Sequence, residues 1–228
     1  MLVEGSGGER IVVDTGPEFR LQAVRAGLTA LDALLITHTH ADHLHGLDDV
    51  RPLTVKTPLT VYSSEQALAE IRSRFPYIFK AEGQIRGARP RLCLRAVSGG
   101  FQIGGITVTP LPVTHGALEV LGWKFSEGAR SAVYITDASA IPGPTATLAS
   151  GCDLLIIGAL RAEPHATHFS FGEALLAAKS IGSGRVFLTH INHEHSHREI
   201  EAFCCDWAAA NGMRAAASPA FDGLTVEV

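Results

Sequence analysis

The chain is poor in the devices that staple, anchor or export a protein. Only four of its 228 residues are cysteine (Cys93, Cys152, Cys204 and Cys205), and no two stand as a CxxC pair. That spacing counts against a zinc knuckle or redox pair and reads as small buried side chains in a reducing compartment. Apolar runs fall far short of the ~20 residues that a membrane span needs. The opening MLVEGSGGER has no apolar stretch behind a basic one, so no secretory signal is expected. Charged residues make up only 18% and leave a net charge of −4, which gives no basic footprint for nucleic acid. A small anionic partner stays compatible with that balance if a metal ion supplies positive charge locally. Together these absences predict a cytoplasmic protein.

What is present is globular composition, with 46% apolar residues, 23 Gly and 11 Pro. A single domain over residues 1–228 is expected, long enough to bury roughly 70% of its unfolded surface. Strand-length runs rich in Val, Ile, Leu or Thr recur at 10–14, 33–37, 59–62, 92–97, 106–113, 120–125, 131–136, 153–158, 186–189 and 224–228. Met1–Glu4 also reads as a strand. Ser63-Ser64-Glu65-Gln66, Ser170-Phe171-Gly172-Glu173 and Ser196-His197-Arg198-Glu199 fit a helix-starting box, and Gly182 and Gly212 read as stops for the last two helices. Strands and helices do not alternate regularly, so the pattern predicts two mixed sheets with helices outside rather than a doubly wound parallel sheet. The stretch 51–95 is locally basic, with Arg72, Arg74, Lys80, Arg86, Arg89, Arg91 and Arg95. It is read either as a substrate-covering insertion or as a solvated helix face and loop.

The histidines are unevenly placed. Of eleven, four fall in 38–45 and four in 190–197. Leu34-Leu35-Ile36-Thr37-His38-Thr39-His40-Ala41-Asp42-His43 is a hydrophobic strand that empties into four potential metal ligands. His38 and His40 are two apart and point the same way in an extended chain. Asp42 and His43 follow where the chain should turn into a helix, and can face a second point nearby. Burying so many polar groups together is costly without a metal or full hydrogen bonding. Further ligand types end later strands at His115, Asp137 and His190, and strand ends on one side of a sheet converge.

This combination resembles the metallo-β-lactamase superfamily, whose HxHxDH signature stands here as His38–His43. Within it the chain is most similar to the phosphodiesterase group that includes the phosphoribosyl cyclic phosphate phosphodiesterase. The matching stretches are Val13-Asp14-Thr15-Gly16, Thr109–His115, Thr136-Asp137, Pro164-His165 with Thr167-His168, Leu188–His193 and Phe221-Asp222-Gly223. The resemblance implies an α+β fold, a four-layer αββα sandwich, here lacking the first N-terminal strand of the family. It implies that His38, His40 and His115 hold one divalent ion, that Asp42, His43 and His190 hold another, and that Asp137 bridges them. It also implies that His168 lies over the site as a proton donor. A donor set of His and carboxylate suits zinc, manganese or iron.

The expected activity is hydrolysis of a small, cyclic or open, phosphate ester by a hydroxide shared between the two ions, with Asp42 and His168 in the catalytic set. Asp14, His165 and His193 are expected behind the ligands or at the substrate. Competing readings are a thioester or lactone hydrolase, a tRNA 3′-processing-type nuclease, and a metal-binding module without catalysis. A homodimer is compatible with the sequence.

Overall fold

The computed structural model describes residues 1–80 and 89–228. The chain divides into two compact units, Met1–Ile106 and Thr107–Val228.

The first unit is built on a sheet of five strands, β1 (Leu2–Glu4), β2 (Arg10–Val13), β3 (Ala33–Leu35), β4 (Leu59–Ser63) and β5 (Leu92–Ala96), in the order β1-β2-β3-β4-β5. β1 runs antiparallel to β2, and the other three pairings are parallel. β3 is apolar throughout and β2 is apolar after its opening Arg10: Ile11, Val12, Val13, Ala33, Leu34 and Leu35 are all buried. That is the run-type pattern of interior parallel strands rather than the alternation of a half-wet sheet. Helices α1 (Phe19–Arg25), α2 (Ala41–Leu44) and α3 (Glu65–Arg74) share a core in which Leu34, Ile36, Leu44, Val61, Leu68 and Ile71 meet. β6 (Phe101–Ile103) completes the unit, and its Phe101 stacks on Tyr62 of β4 with ring centroids 4.4 Å apart.

In the second unit the strands are β7 (Ile106–His115), β8 (Leu118–Glu127), β9 (Arg130–Ile135), β10 (Leu154–Gly158), β11 (Arg185–Thr189) and β12 (Ala216–Pro219). They run in the order β12-β11-β10-β9-β8-β7. β7, β8 and β9 form antiparallel hairpins, whereas β9 through β12 pair in parallel. Helices α4 (Gly143–Ala149), α5 (Phe171–Ile181) and α6 (His197–Asn211) pack Phe171, Leu175, Ile200 and Cys204 onto Val133, Leu155 and Leu188. Gly158 ends β10 where a Cβ would stand 1.8 Å from the Thr136 carbonyl oxygen, so only glycine lets β10 and the end of β9 lie this close.

The helix signals mostly hold. Ser170 and Ser196 each accept from the backbone N–H three residues on, and Glu173 and Glu199 complete both capping boxes. Gly182 and Gly212 close the same helices in the left-handed conformation. At α3 the cap lies one residue later than the box predicts: Ser64 accepts from Ala67, and Ser63 instead ends β4.

One predicted strand is wrong. Residues 224–228 form no strand, because the place beside β11 is taken by Ala216–Pro219, which follows α6 directly and pairs in parallel with Arg185–Leu188. The alternation of Leu224-Thr225-Val226-Glu227 finds no partner strand to use it. β6 and β12 escaped sequence reading because they are short and carry Gln102, Ser218 and Pro219 rather than an apolar run.

The basic stretch is largely engaged with its own unit. Arg89 and Arg91 donate to the carbonyls of Tyr77 and Val55, Arg72 lies over Phe79, and Arg95 lies over Tyr62. Arg86 lies outside the described residues. Among the described residues no helix is long and apolar enough to cross a membrane.

Candidate metal-ligand clusters

In the first unit the parallel strands β2 and β3 end side by side, and Asp14 and the histidine motif leave from those ends. Asp14 takes φ 60°, a left-handed conformation that Asp tolerates better than most side chains. This turns its carboxylate under the motif. Oδ1 accepts from the Thr37 backbone N–H at 2.8 Å, and Oδ2 accepts from the Thr37 hydroxyl at 2.8 Å. The same Oδ2 lies 2.7 Å from His43 Nδ1, and Thr37 Oγ1 lies 3.0 Å from His38 Nδ1. One carboxylate therefore fixes two imidazoles, His43 directly and His38 through Thr37. In both rings Nδ1 is engaged from behind and Nε2 is the nitrogen turned outward, the arrangement in which a histidine ligates a metal.

The rings of the motif lie close together. His38 lies 4.5 Å from His40 and 4.3 Å from His43 between centroids. Asp42 Oδ2 lies 3.3 Å from His43 Nε2. His38 and His43 are buried, and His40 and Asp42 are exposed. α2 is what places the last two ligands: the chain turns at His40, so that Asp42 and His43 fall in its first turn. His45 is exposed at the C-terminus of that turn.

In the second unit the ligand types again sit at strand ends: His115 closes β7, Asp137 follows β9, and His190 follows β11. Asp137 is 1% exposed. Its Oδ2 accepts from the Thr136 hydroxyl at 2.9 Å, and its Oδ1 lies 3.3 Å from His190 Nε2 and 3.6 Å from His168 Nδ1. His115, Asp137 and His168 present donor atoms within 4.8 Å of one another. The His168 ring is stacked on His190 at 5.0 Å and set edge-on to His115 at 4.6 Å. His115 Nδ1 is held by the Thr167 carbonyl at 2.7 Å, which again directs Nε2 outward. His190 takes φ 55°, the second positive-φ non-glycine residue of the described chain after Asp14. Both mark strand ends where the backbone is bent to aim a side chain.

Burial pushes the His168 imidazole down to about 4, against the opposing pull of the Asp137 carboxylate and with help from the neighbouring His190, His115 and His165. The ring is therefore neutral at neutral pH, and a proton placed on it is readily released. His165 is exposed and accepts from the Thr167 backbone N–H at 3.3 Å, so it steadies the loop that carries both Thr167 and His168. His193 is exposed on the loop beyond His190. His115, Asp137, His168 and His190 contact one another, and the His165 ring lies 5.2 Å from that of His168.

Sequence reading missed three supports. Thr37 and Thr39 stand inside the motif, but a threonine between histidines gives no sign of what its hydroxyl will reach. Thr167 acts through its carbonyl, which leaves no mark in a sequence. Within each cluster the donors are imidazole nitrogen and carboxylate oxygen with no thiolate, a set that suits a divalent ion of borderline hardness.

Residues 9–191, which run across both units, match the family model of the beta-lactamase superfamily domain. An octanoyltransferase of Porphyromonas gingivalis is 35% identical over 205 residues, 88% of this chain and 41% of that one. The chain thus spans less than half the length of that relative. A ribonuclease Z of a Mycobacterium species is 26% identical over 215 residues, covering 81% of this chain and 75% of its own. Among solved structures, a diphosphatase from the PhnP family superposes with a TM-score of 0.83 at 32% identity, covering 100% of this chain and 83% of that one. The HxHxDH motif, the strand-end histidines and aspartates and the matched extent agree: this chain belongs to the beta-lactamase superfamily and has the metallo-β-lactamase fold.

Proposed function

We propose that the protein is a binuclear metal-dependent phosphodiesterase acting on a small phosphate ester, cyclic esters included. The observation that carries the reading is a surplus imidazole. Around the buried Asp137 stand His115, His168 and His190, and the superfamily pattern uses only the first and last as ligands. His168 is left to handle a proton.

In this reading His38, His40 and His115 hold one divalent ion, Asp42, His43 and His190 hold a second, and Asp137 serves both. Zinc, manganese or iron bound there would supply a hydroxide near neutral pH and positive charge for the ester oxygens. The chain's own residues do the rest. Asp14 and Thr37 hold His43 and His38 with Nε2 outward, and the Thr167 carbonyl does the same for His115. His168 turns Nδ1 toward Asp137, which leaves Nε2 to meet the leaving oxygen. A pKa of about 4 leaves the ring mostly unprotonated at neutral pH, and the Asp137 carboxylate, which raises that pKa, favours loading it with a proton. The likeness to a PhnP-family diphosphatase supports phosphate chemistry.

The likeness to a ribonuclease Z favours a second reading, a tRNA 3′-processing-type nuclease. The net charge of −4 counts against it. Free thiols at Cys93, Cys152, Cys204 and Cys205 suit a cytoplasmic location, with burial pushing Cys152 and Cys204 up to about 11.

The test is hydrolysis of bis(p-nitrophenyl) phosphate by metal-free protein reconstituted with manganese or zinc, beside a thioester, a lactone and a precursor tRNA. Phosphodiester turnover is expected, lost together with bound metal in Asp137→Ala. In His168→Ala the metal should stay while the rate on esters with poor leaving groups drops by about 10²–10⁴-fold. Fast thioester or lactone turnover without phosphodiester cleavage would overturn the reading, and cleavage confined to the precursor tRNA would install the second one.

A further inference from the structure

Between His38 and His40 stands Thr39, and it is gripped from a different element. Its hydroxyl donates to Glu70 Oε2 on α3, and its carbonyl accepts from Arg74 Nη1 one turn further along the same helix. Arg74 Nη2 closes the triangle on Glu70 Oε2 at 3.2 Å, and Gln66 Nε2 supports Glu70 Oε1 at 3.4 Å. Thr39 is 8% exposed, although Glu70 and Arg74 lie at the surface.

An exposed Glu–Arg pair spaced four apart on a helix ordinarily contributes little. Here both members reach the same residue, 31 and 35 positions away in sequence. The Thr39 carbonyl belongs to the peptide that leads into His40, so Arg74 fixes the plane from which His40 departs. The Thr39 hydroxyl, held by Glu70, fixes the residue that spaces the two rings. Asp14 steadies His38 and His43 from behind through hydrogen bonds to, or next to, their Nδ1 atoms. α3 grips the opposite part of the loop.

We infer that Glu70 and Arg74 are positioning residues that lock Thr39 and thereby set how His38 and His40 are presented to a metal ion. This rests on the proposed metal-binding role of those two histidines. Neither Glu70 nor Arg74 touches the ion or the substrate in this role. They act through the backbone and hydroxyl of one threonine.

The experiment is a zinc titration of metal-free protein against a chromophoric chelator, for the wild type, Thr39→Val, Glu70→Ala, the double variant, Thr39→Ser and His40→Ala. Each is accompanied by the melting temperature of the metal-free form. Thr39→Val and Glu70→Ala are each expected to weaken zinc binding by about tenfold, with the metal-free melting temperature held. The double variant should lose no more than the worse single one, because both cut the same contact. Thr39→Ser, which keeps the hydroxyl, should bind as the wild type does.

Unchanged affinity in Thr39→Val and Glu70→Ala, or a melting temperature that falls with affinity intact, would overturn the inference. So would losses that simply add in the double variant. His40→Ala separates the two levels. If it abolishes tight binding while Glu70→Ala leaves the affinity at the wild-type value, only the clamp fails; if it leaves binding untouched, the metal role of the motif fails and the clamp with it. Should Glu70→Ala not fold, Arg74→Met releases the Thr39 carbonyl and the ion pair with Glu70, leaves the contact of the Thr39 hydroxyl in place, and carries the same expected loss.

Discussion

Asp14 combines a left-handed backbone with three side-chain hydrogen bonds, two to Thr37 and one to His43, and an indirect hold on a second histidine. Asn tolerates the same backbone and can still accept from Thr37, but it lacks the charge that fixes the His43 tautomer. Asp14→Asn is therefore expected to fold normally and to weaken metal binding by about 10–100-fold, read by chelator competition beside circular dichroism. His168 offers a test that needs no metal. Its native pKa of about 4 lies below the ordinary 6.5, so on acidification the unfolded chain takes up the proton first. The contribution of this ring to stability is thus complete above the ordinary value and lost as pH falls through the window down to about 4. Urea unfolding of the metal-free protein across that window should show a falling stability that His168→Gln flattens. An identical slope in the variant would remove His168 as its source.

At the scale of elements, α5 and α6 are specified from both ends by chemistry that acts within four residues. Removing one cap should have a local and separable effect. Ser196→Ala takes away the acceptor for the Glu199 N–H and one of the two donors to its carboxylate, leaving the Ser196 backbone N–H. The cost should be about 1 kcal/mol, a fall in melting temperature of about 2–4 °C for a chain of this size, with zinc affinity unchanged. The same locality explains what could be read from sequence. Ser170, Glu173 and Gly182 announce α5 because capping and the left-handed stop depend on neighbours in the chain. His38–His43 announced itself because its ligands share one segment, and β9 and β11 because they are apolar runs broken by Asp137 and His190. β12 could not be read, since its place beside β11 is settled by where α6 delivers the chain, and the better-patterned Leu224–Val228 lost that competition. The partnership of Asp14 with His43 spans 29 residues, and that of Thr39 with Glu70 spans 31. Neither separation has a period; the place of Asp14 just before the motif hints at the first, and nothing hints at the second.

For the whole molecule the question is how much of the native state depends on the metal. The first unit buries His38 and His43, and the second buries His115 and Asp137. Polar groups are costly to bury unless hydrogen bonds or an ion compensate them. Asp14, Thr37, Thr136 and the Thr167 carbonyl supply part of that compensation inside each unit, enough that the chain should fold without metal. An ion that binds only the folded chain then adds stability by mass action, about 2.7 kcal/mol at a free concentration 100 times its dissociation constant. The expected behaviour is a cooperative melt in chelator and a midpoint that climbs steadily with the logarithm of free zinc or manganese. In Asp137→Ala, which removes the carboxylate proposed to serve both ions, the midpoint should stop responding to metal while the melt in chelator stays cooperative. A midpoint indifferent to metal in the wild type would mean that the hydrogen bonds alone account for the buried histidines, and the clusters would then be structural. A wild type that melts without cooperativity in chelator would mean the reverse, that the ion is required for folding itself.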